Sequence, residues 1–230
     1  LIVSGSSLQA FAQTGYWSPE SSASRFTPDK AVARQAFPKE FKLFSLNAAP
    51  LRQQLFSVVG ANASRHSTII TLPNANGALE QFEVFEASNF EPALQARFPE
   101  IRAYSGRSLQ NGADMLKLSI SPQGIQTMVF RSNGEPNEYI EPYSADHTVY
   151  AVFKSQRQKG GLPWVCSAPD QQLASNLHRQ VTNRIESNTG ELKTMRLAQS
   201  CNAEYSNWFG ATSSAQVALV LAGFNATMTR

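Results

Sequence analysis

Apolar and polar residues alternate with a period of two in several short stretches between residues 38 and 153, separated by clusters of Gly, Pro, Asn and Ser. Such alternation puts every second side chain on one buried face of a strand. Pro38 to Leu46 (PKEFKLFSL) predicts a first strand. Asn47-Ala48-Ala49-Pro50 then opens a short helix, Leu51 to Val59, with Leu51, Leu55 and Val58 on one face. Ser67 to Leu72 and Leu79 to Phe85 flank Pro73-Asn74-Ala75-Asn76-Gly77, a hairpin signal in which Asn76-Gly77 supplies the positive-φ positions of a tight connection. Glu91 to Phe98 predicts a short helix across one end. A second hairpin has Leu116, Leu118 and Ile120 alternating, a turn at Ser121 to Gly124, and a return along Ile125 to Phe130. Ser132-Asn133-Gly134 turns the chain again into Tyr139-Ile140 and on to Thr148 to Phe153. The middle of the chain thus predicts an antiparallel β-meander, a curled sheet or sandwich closed on itself, with Glu, Gln, Lys and Thr on its open face.

The pattern changes on both sides of this block. Residues 13–30, rich in Ser, Pro and Thr, read as a flexible lead-in. Residues 154–191 carry Gly160-Gly161, Pro163, Pro169 and a long polar stretch, and read as a linker with one exposed helix over 170–183. Proteolytic nicking concentrates in such connections, which makes Arg179, Arg184 and Lys193 the expected processing points. Leu192 to Ala198 (LKTMRLA) alternates as a strand. Thr212 or Ser213 then caps a helix running to Arg230, with Val217, Val220, Leu221, Phe224 and Met228 as its apolar stripe. One strand and one amphipathic helix cannot form a core by themselves, so part of their partner surface is expected beyond Arg230. The fold class expected for the whole is α+β.

Composition adds limits. A chain of 230 residues, 42% hydrophobic and 16% charged, can bury one or two cores and does not fit disorder. Its net charge of +3 comes from 20 basic against 17 acidic side chains with no basic run, which argues against a nucleic-acid partner. The opening LIVSGSSLQAFA is uncharged, apolar or small, and ends in Ala10-Phe11-Ala12, the pattern cut by signal peptidase. Residues 1–12 are accordingly read as the remnant of a signal peptide with Ala10 and Ala12 at the cleavage site, a frayed apolar N-terminal strand being the alternative, and the protein as secreted. No later apolar run approaches the roughly 20 residues that cross a bilayer. Cys166 and Cys201 are too few for a disulfide scaffold but can pair in an oxidising compartment.

Catalytic signatures are missing from the sequence. His66, His147 and His178 are scattered, and none belongs to H-E-x-x-H, which sets two zinc ligands one helical turn apart around a general base. No nucleophile elbow, phosphate loop or dinucleotide fingerprint occurs. Asn62-Ala63-Ser64 and Asn225-Ala226-Thr227 match the glycosylation sequon, a pattern short enough to arise by chance. Tyr104, Tyr139, Tyr143, Tyr150 and Phe153 read either as a ligand-binding face or, as is commoner in a β-meander, as packing.

Three stretches carry a family resemblance. Pro73 to Ser108 (PNANGALEQFEVFEASNFEPALQARFPEIRAYSGRS), followed by LKLSISPQGIQTMVF and EYIEPY, resembles the pro-region of bacterial secreted reprolysin-type metallopeptidases. The last 39 residues, LKTMRLAQSCNAEYSNWFGATSSAQVALVLAGFNATMTR, resemble the start of their catalytic domain. The resemblance implies a β-rich pro-domain over 13–153, a linker and processing region over 154–191, and over 192–230 the first strand and helix of an α/β metzincin-like catalytic domain. It also implies zinc in the parent protein, bound by H-E-x-x-H-x-x-G-x-x-H beyond Arg230, with none held by residues 1–230. These residues are then expected to be catalytically silent. Their expected partner is the parent's own catalytic domain, which in turn acts on protein substrates.

Three readings of Cys166 stay open, one of them an unpaired or otherwise partnered thiol. Related zymogens place a thiolate on zinc, where at about 2.3 Å it blocks the position that hydrolysis needs. A Cys166–Cys201 disulfide would instead restrict the unfolded chain and stabilise the fold by roughly 3 to 4 kcal/mol in the entropy model. The rival to the whole zymogen reading is an exported, non-enzymatic β-sandwich binding module. Residues 192–230 discriminate: closed packing onto the β-domain favours the module, and an exposed apolar helix face favours the precursor.

Overall fold

The computed structural model describes residues 15–22, 25–28, 38, 40–60, 66–155, 203–210 and 214–230. The chain divides into two compact units, one formed by residues 1–156 with 204–230 and the other by 157–203, of which only Ala203 is described. The expected strand at 192–198 and helix at 170–183 lie outside the described residues.

Nine strands are described: β1 (Trp17–Glu20), β2 (Lys42–Leu46), β3 (Thr68–Pro73), β4 (Leu79–Glu86), β5 (Arg102–Ser108), β6 (Met115–Ser121), β7 (Gly124–Phe130), β8 (Glu138–Pro142) and β9 (Val149–Lys154). They form one sheet in the order β1-β2-β9-β8-β7-β6-β5-β4-β3. Every pairing is antiparallel. The expected meander is therefore present from β3 to β9. The sandwich alternative is corrected, because a single continuous sheet curls around its own core and, among the described residues, no second sheet packs on it.

Helix α1 (Ala48–Phe56) fills the concave face. Pro50 falls in its first turn, where a missing N–H costs nothing because those amides have no partner within the helix. Leu51 and Leu55 are buried with Phe82, Val84, Tyr104, Leu116, Leu118 and Ile140 in one cluster. The Tyr104 hydroxyl donates to the Leu55 carbonyl at 3.1 Å, and Arg52 donates to the Ser121 carbonyl at 3.1 Å, so the helix is tied to the sheet at two points.

Hydrophobic periodicity does not reveal two of the strands. β1 interrupts the expected lead-in at 13–30, and Trp17 with the preceding Tyr16 supplies a pair of aromatic side chains. Trp17 Nε1 donates to the Thr71 carbonyl at 2.9 Å, and the Thr71 amide donates to the Tyr16 hydroxyl at 2.6 Å. Since β1 and β3 are the two edges of the sheet, these bonds join edge to edge across the curl and satisfy an edge strand whose backbone would otherwise be open. β5 is hidden by its small and polar residues, RAYSGRS. Its Gly106 lies where an added Cβ would meet the Glu83 carbonyl at 2.6 Å and Val84 Cγ1 at 2.7 Å, so the residue that weakens the strand signal also permits the close approach of β4.

At the β3–β4 connection only Gly77 has positive φ, +93°, and Asn76 does not. The turn is closed instead by Asn74, whose Oδ1 accepts from the amides of Asn76 at 3.0 Å and Ala78 at 2.9 Å. Helix α2 (Pro92–Arg97) occupies the expected stretch.

Helix α3 (Ala203–Trp208), from Glu204 onward, and helix α4 (Ser214–Thr229) belong to the same unit as the sheet. α4 packs on the outer face of β5 and β6. The expected stripe is corrected here: Val220, Ala222, Asn225, Ala226 and Thr229 are buried, whereas Val217 and Met228 are 44% and 43% exposed. Small residues and hydrogen-bonding groups, not the largest apolar ones, face the sheet, because the helix lies close to the strands and meets polar partners there. Tyr205 of α3 stacks on Phe224 with ring centroids 5.4 Å apart, and Gly223 leaves room for the Tyr205 hydroxyl.

Candidate functional site

The expected processing residues Arg179, Arg184 and Lys193, the cysteines Cys166 and Cys201, and the cleavage residues Ala10 and Ala12 lie outside the described residues, as do His178 and the sequon at Asn62. Among the described residues no group of three His, Cys, Asp or Glu side chains is arranged to hold a metal, and no helix is long and apolar enough to cross a membrane. The aromatic set divides between the two faces of the sheet. Tyr104 and Tyr150 are in the concave core, whereas Tyr139 stacks on Phe153 at 5.5 Å and Tyr143 packs on Phe41 at 5.7 Å. The five do not form one ligand face.

The densest charge cluster surrounds Arg131. Its Nη1 donates to Glu80 Oε2 at 2.9 Å and Asp114 Oδ2 at 3.0 Å, and its Nη2 donates to Glu80 Oε1 at 3.2 Å and Glu138 Oε2 at 2.8 Å. One guanidinium thus meets three carboxylates, a balance tolerable in a buried place only because other donors share the load. Asp114 Oδ1 accepts from the Ser132 amide, the Ser132 hydroxyl and Asn111 Nδ2, Glu138 accepts from the Ala75 amide, and Glu80 from Asn74. Burial alone would raise the Asp114 carboxyl. The Ser132 and Arg131 hydrogen bonds outweigh it and hold the group below the usual carboxylate range. With every member paired, the cluster pins the β3–β4 turn to β6, β7 and β8 and leaves no free base or acid for chemistry.

An open groove of about 450 Å³ runs between β1, β2 and the β3–β4 turn, with Glu20 and Lys42 as its charged lining residues. Lys42 Nζ is engaged with the Asn76 carbonyl at 2.7 Å. Its lining residues include no nucleophile paired with a base.

The outer face of the sheet carries several partly exposed apolar side chains. Register places Ile69, Glu83, Arg107 and Met115 in one row across β3 to β6, and Phe85, Ser105, Lys117 and Met128 in the next across β4 to β7. Ile69, Phe85 and Met115 on this face, and Leu109 just after β5, are each 43–50% exposed. Glu83 accepts from Arg107 at 2.9 Å, and this bond, followed by one from Ser67, lowers its carboxyl below the usual value. Lys117 donates to the Ser105 hydroxyl at 2.8 Å. Farther along the same face α4 is seated through Asn225, which is 1% exposed.

Asn225 and Arg131 are the residues that sequence reading missed. For Arg131 the usable signal was weak, a single base after a strand with acids nearby in sequence. For Asn225 the signal pointed elsewhere, to a sequon, and its buried amide is occupied by packing. Compared with protein-family models, curated proteins and solved structures, the chain gives no match.

Proposed function

We propose that this chain is the pro-region of a secreted zinc-dependent metalloendopeptidase precursor together with the opening elements of its catalytic domain. The parent hydrolyses peptide bonds with a metal-activated water, and the pro-region assists folding and covers the substrate cleft until it is cut. The observation that carries the reading is the side of α4 turned away from the sheet, where the apolar side chains of Val217 and Met228 are 44% and 43% exposed. In this reading that side is completed by the rest of the catalytic domain, whose zinc ligands follow Arg230. The resemblance of Pro73 to Ser108 and of Leu192 to Arg230 to the reprolysin-type precursors supports the same assignment.

A second reading, an exported binding module without enzymatic activity, draws support from the hydrogen bonds that make α4 part of the β unit. Sequencing the parent gene on the 3′ side of the Arg230 codon separates the two. An H-E-x-x-H-x-x-G-x-x-H motif within the following frame is the expected result. A stop codon directly after Arg230 would overturn the precursor reading in favour of the module.

A further inference from the structure

We infer that the outer face of β5 and β6, together with Asn89, is a helix-docking site that recognises the pattern Ala-x-x-Asn-Ala-x-x-Thr of α4 and holds that helix when the connection to it is cut. The pattern is Ala222, Asn225, Ala226 and Thr229, which share one side of the helix and are all buried. The two alanines let the helix lie close to the strands. The polar pair then reads the register.

Asn225 Nδ2 donates to the Arg102 carbonyl and to the Ser119 hydroxyl, each at 3.0 Å, so both of its protons are used on β5 and β6. Its Oδ1 accepts from Asn89 Nδ2 at 3.0 Å. Asn89 also reaches the Thr229 hydroxyl at 2.8 Å and the Asn225 carbonyl at 3.3 Å, while Thr229 Oγ1 donates to that carbonyl at 2.6 Å. Beyond the helix, Arg230 pairs with Glu141 at 2.8 Å and lies over the Tyr139 ring at 5.5 Å. A rotation of the helix by one residue, about 100°, would carry the amide off the strands and leave the Arg102 carbonyl and the Ser119 hydroxyl under the helix without this donor, which is costly in a desolvated place. The site therefore discriminates against an apolar helix of the same size as well as binding this one.

The clamp stands on these contacts alone, and its meaning for regulation rests on the precursor reading. If α4 is the first helix of a catalytic domain, the pro-domain grips the enzyme through that helix and cleavage of the linker does not release it.

The test uses the full chain with a specific protease site inserted between Gly160 and Gly161, upstream of both cysteines, so that no disulfide can join the fragments. After cleavage the two parts are expected to co-elute on size exclusion. Asn225→Leu, which keeps size and removes the amide, is expected to weaken their association at least tenfold. Asn89→Ala, a change in an exposed loop that leaves α4 intact, is expected to act in the same direction and covers the case in which the helix variant fails to fold. Val217→Lys, on the solvent side, is expected to leave association within twofold of the parent. Separation of the unsubstituted fragments on cleavage would overturn the inference, as would Asn225→Leu and Asn89→Ala variants that hold as tightly as the parent. Neither outcome bears on the reading frame after Arg230, so the failure of this inference and of the precursor reading can be told apart.

Discussion

Replacing Arg131 by Met tests the idea that the buried charge cluster holds the β3–β4 turn onto the sheet. The substitution keeps a long, flexible side chain and removes four hydrogen bonds of 2.8–3.2 Å to Glu80, Asp114 and Glu138. The side chains involved are little exposed, 9% for Arg131 and 18%, 6% and 5% for the three acids. Removing one partner of a buried pair costs about 3 to 5 kcal/mol, because the remaining charge is left uncompensated. Here three like charges remain, each keeping at least one other donor, so the same range is expected. For a domain of this size it corresponds to a fall in Tm on the order of 10 °C. Urea unfolding followed by tryptophan fluorescence at pH 7 measures it. The pH dependence has a definite sign. In the parent, the depressed Asp114 carboxyl contributes stability that is fully present above its unfolded value, about 3.9, and lost as pH falls through the folded value. In Arg131→Met, Asp114 loses the guanidinium that helps hold its carboxyl low and takes up its proton at higher pH than in the parent, so the deficit relative to the parent shrinks as pH falls. A deficit below about 1 kcal/mol at pH 7, unchanged with pH, would show that the cluster is a surface-like network worth no more than exposed pairs.

Gly106→Ala forces the new methyl against the Glu83 carbonyl and Val84, so β4 and β5 must separate; a loss of roughly 2 kcal/mol or more in urea unfolding is expected. Thr127 is fully buried with its hydroxyl unpaired, and Thr127→Val, of equal shape, is expected to stabilise by about 1 kcal/mol in the same assay. Burial pushes the Tyr150 hydroxyl up to about 12, and burial likewise raises Tyr16 and Tyr104. A folded value above the unfolded one gives stability that is complete below pH 10 and lost as pH rises through the folded value. Alkaline titration at 295 nm should therefore show these three of the six tyrosines ionising late, together with unfolding.

Period-two alternation and turns rich in Gly, Pro or Asn were enough to find β2, β3, β4, β6, β7, β8 and β9, although Ile69, Phe85 and Met115 face outward and β9 buries apolar residues on both faces. Alternation failed at β5, where Ser105 and Gly106 hide the strand, and at β1, where the buried residue is a single Trp17 beside a Pro and a Glu. Both are placed by what they meet: β5 by the close approach of β4, and β1 by bonds to Thr71 on the far edge, more than fifty residues away.

The local part of this protein can be read from its residues in order: strand periodicity, turn chemistry, the apolar face of α1 and the existence of a final helix. These follow from side chains within a few residues of one another. Three further features exist only once the chain has folded. The sheet is single and curled, Arg131 gathers acids from β4, β8 and the turn before β6, and α4 presents Asn225 and Thr229 to the sheet instead of Val217 and Met228. The physical reason is common to all three. A buried polar group is placed by partners distant in sequence, and a pattern of hydrophobicity records where apolar surface can be buried but not which buried amide finds a donor.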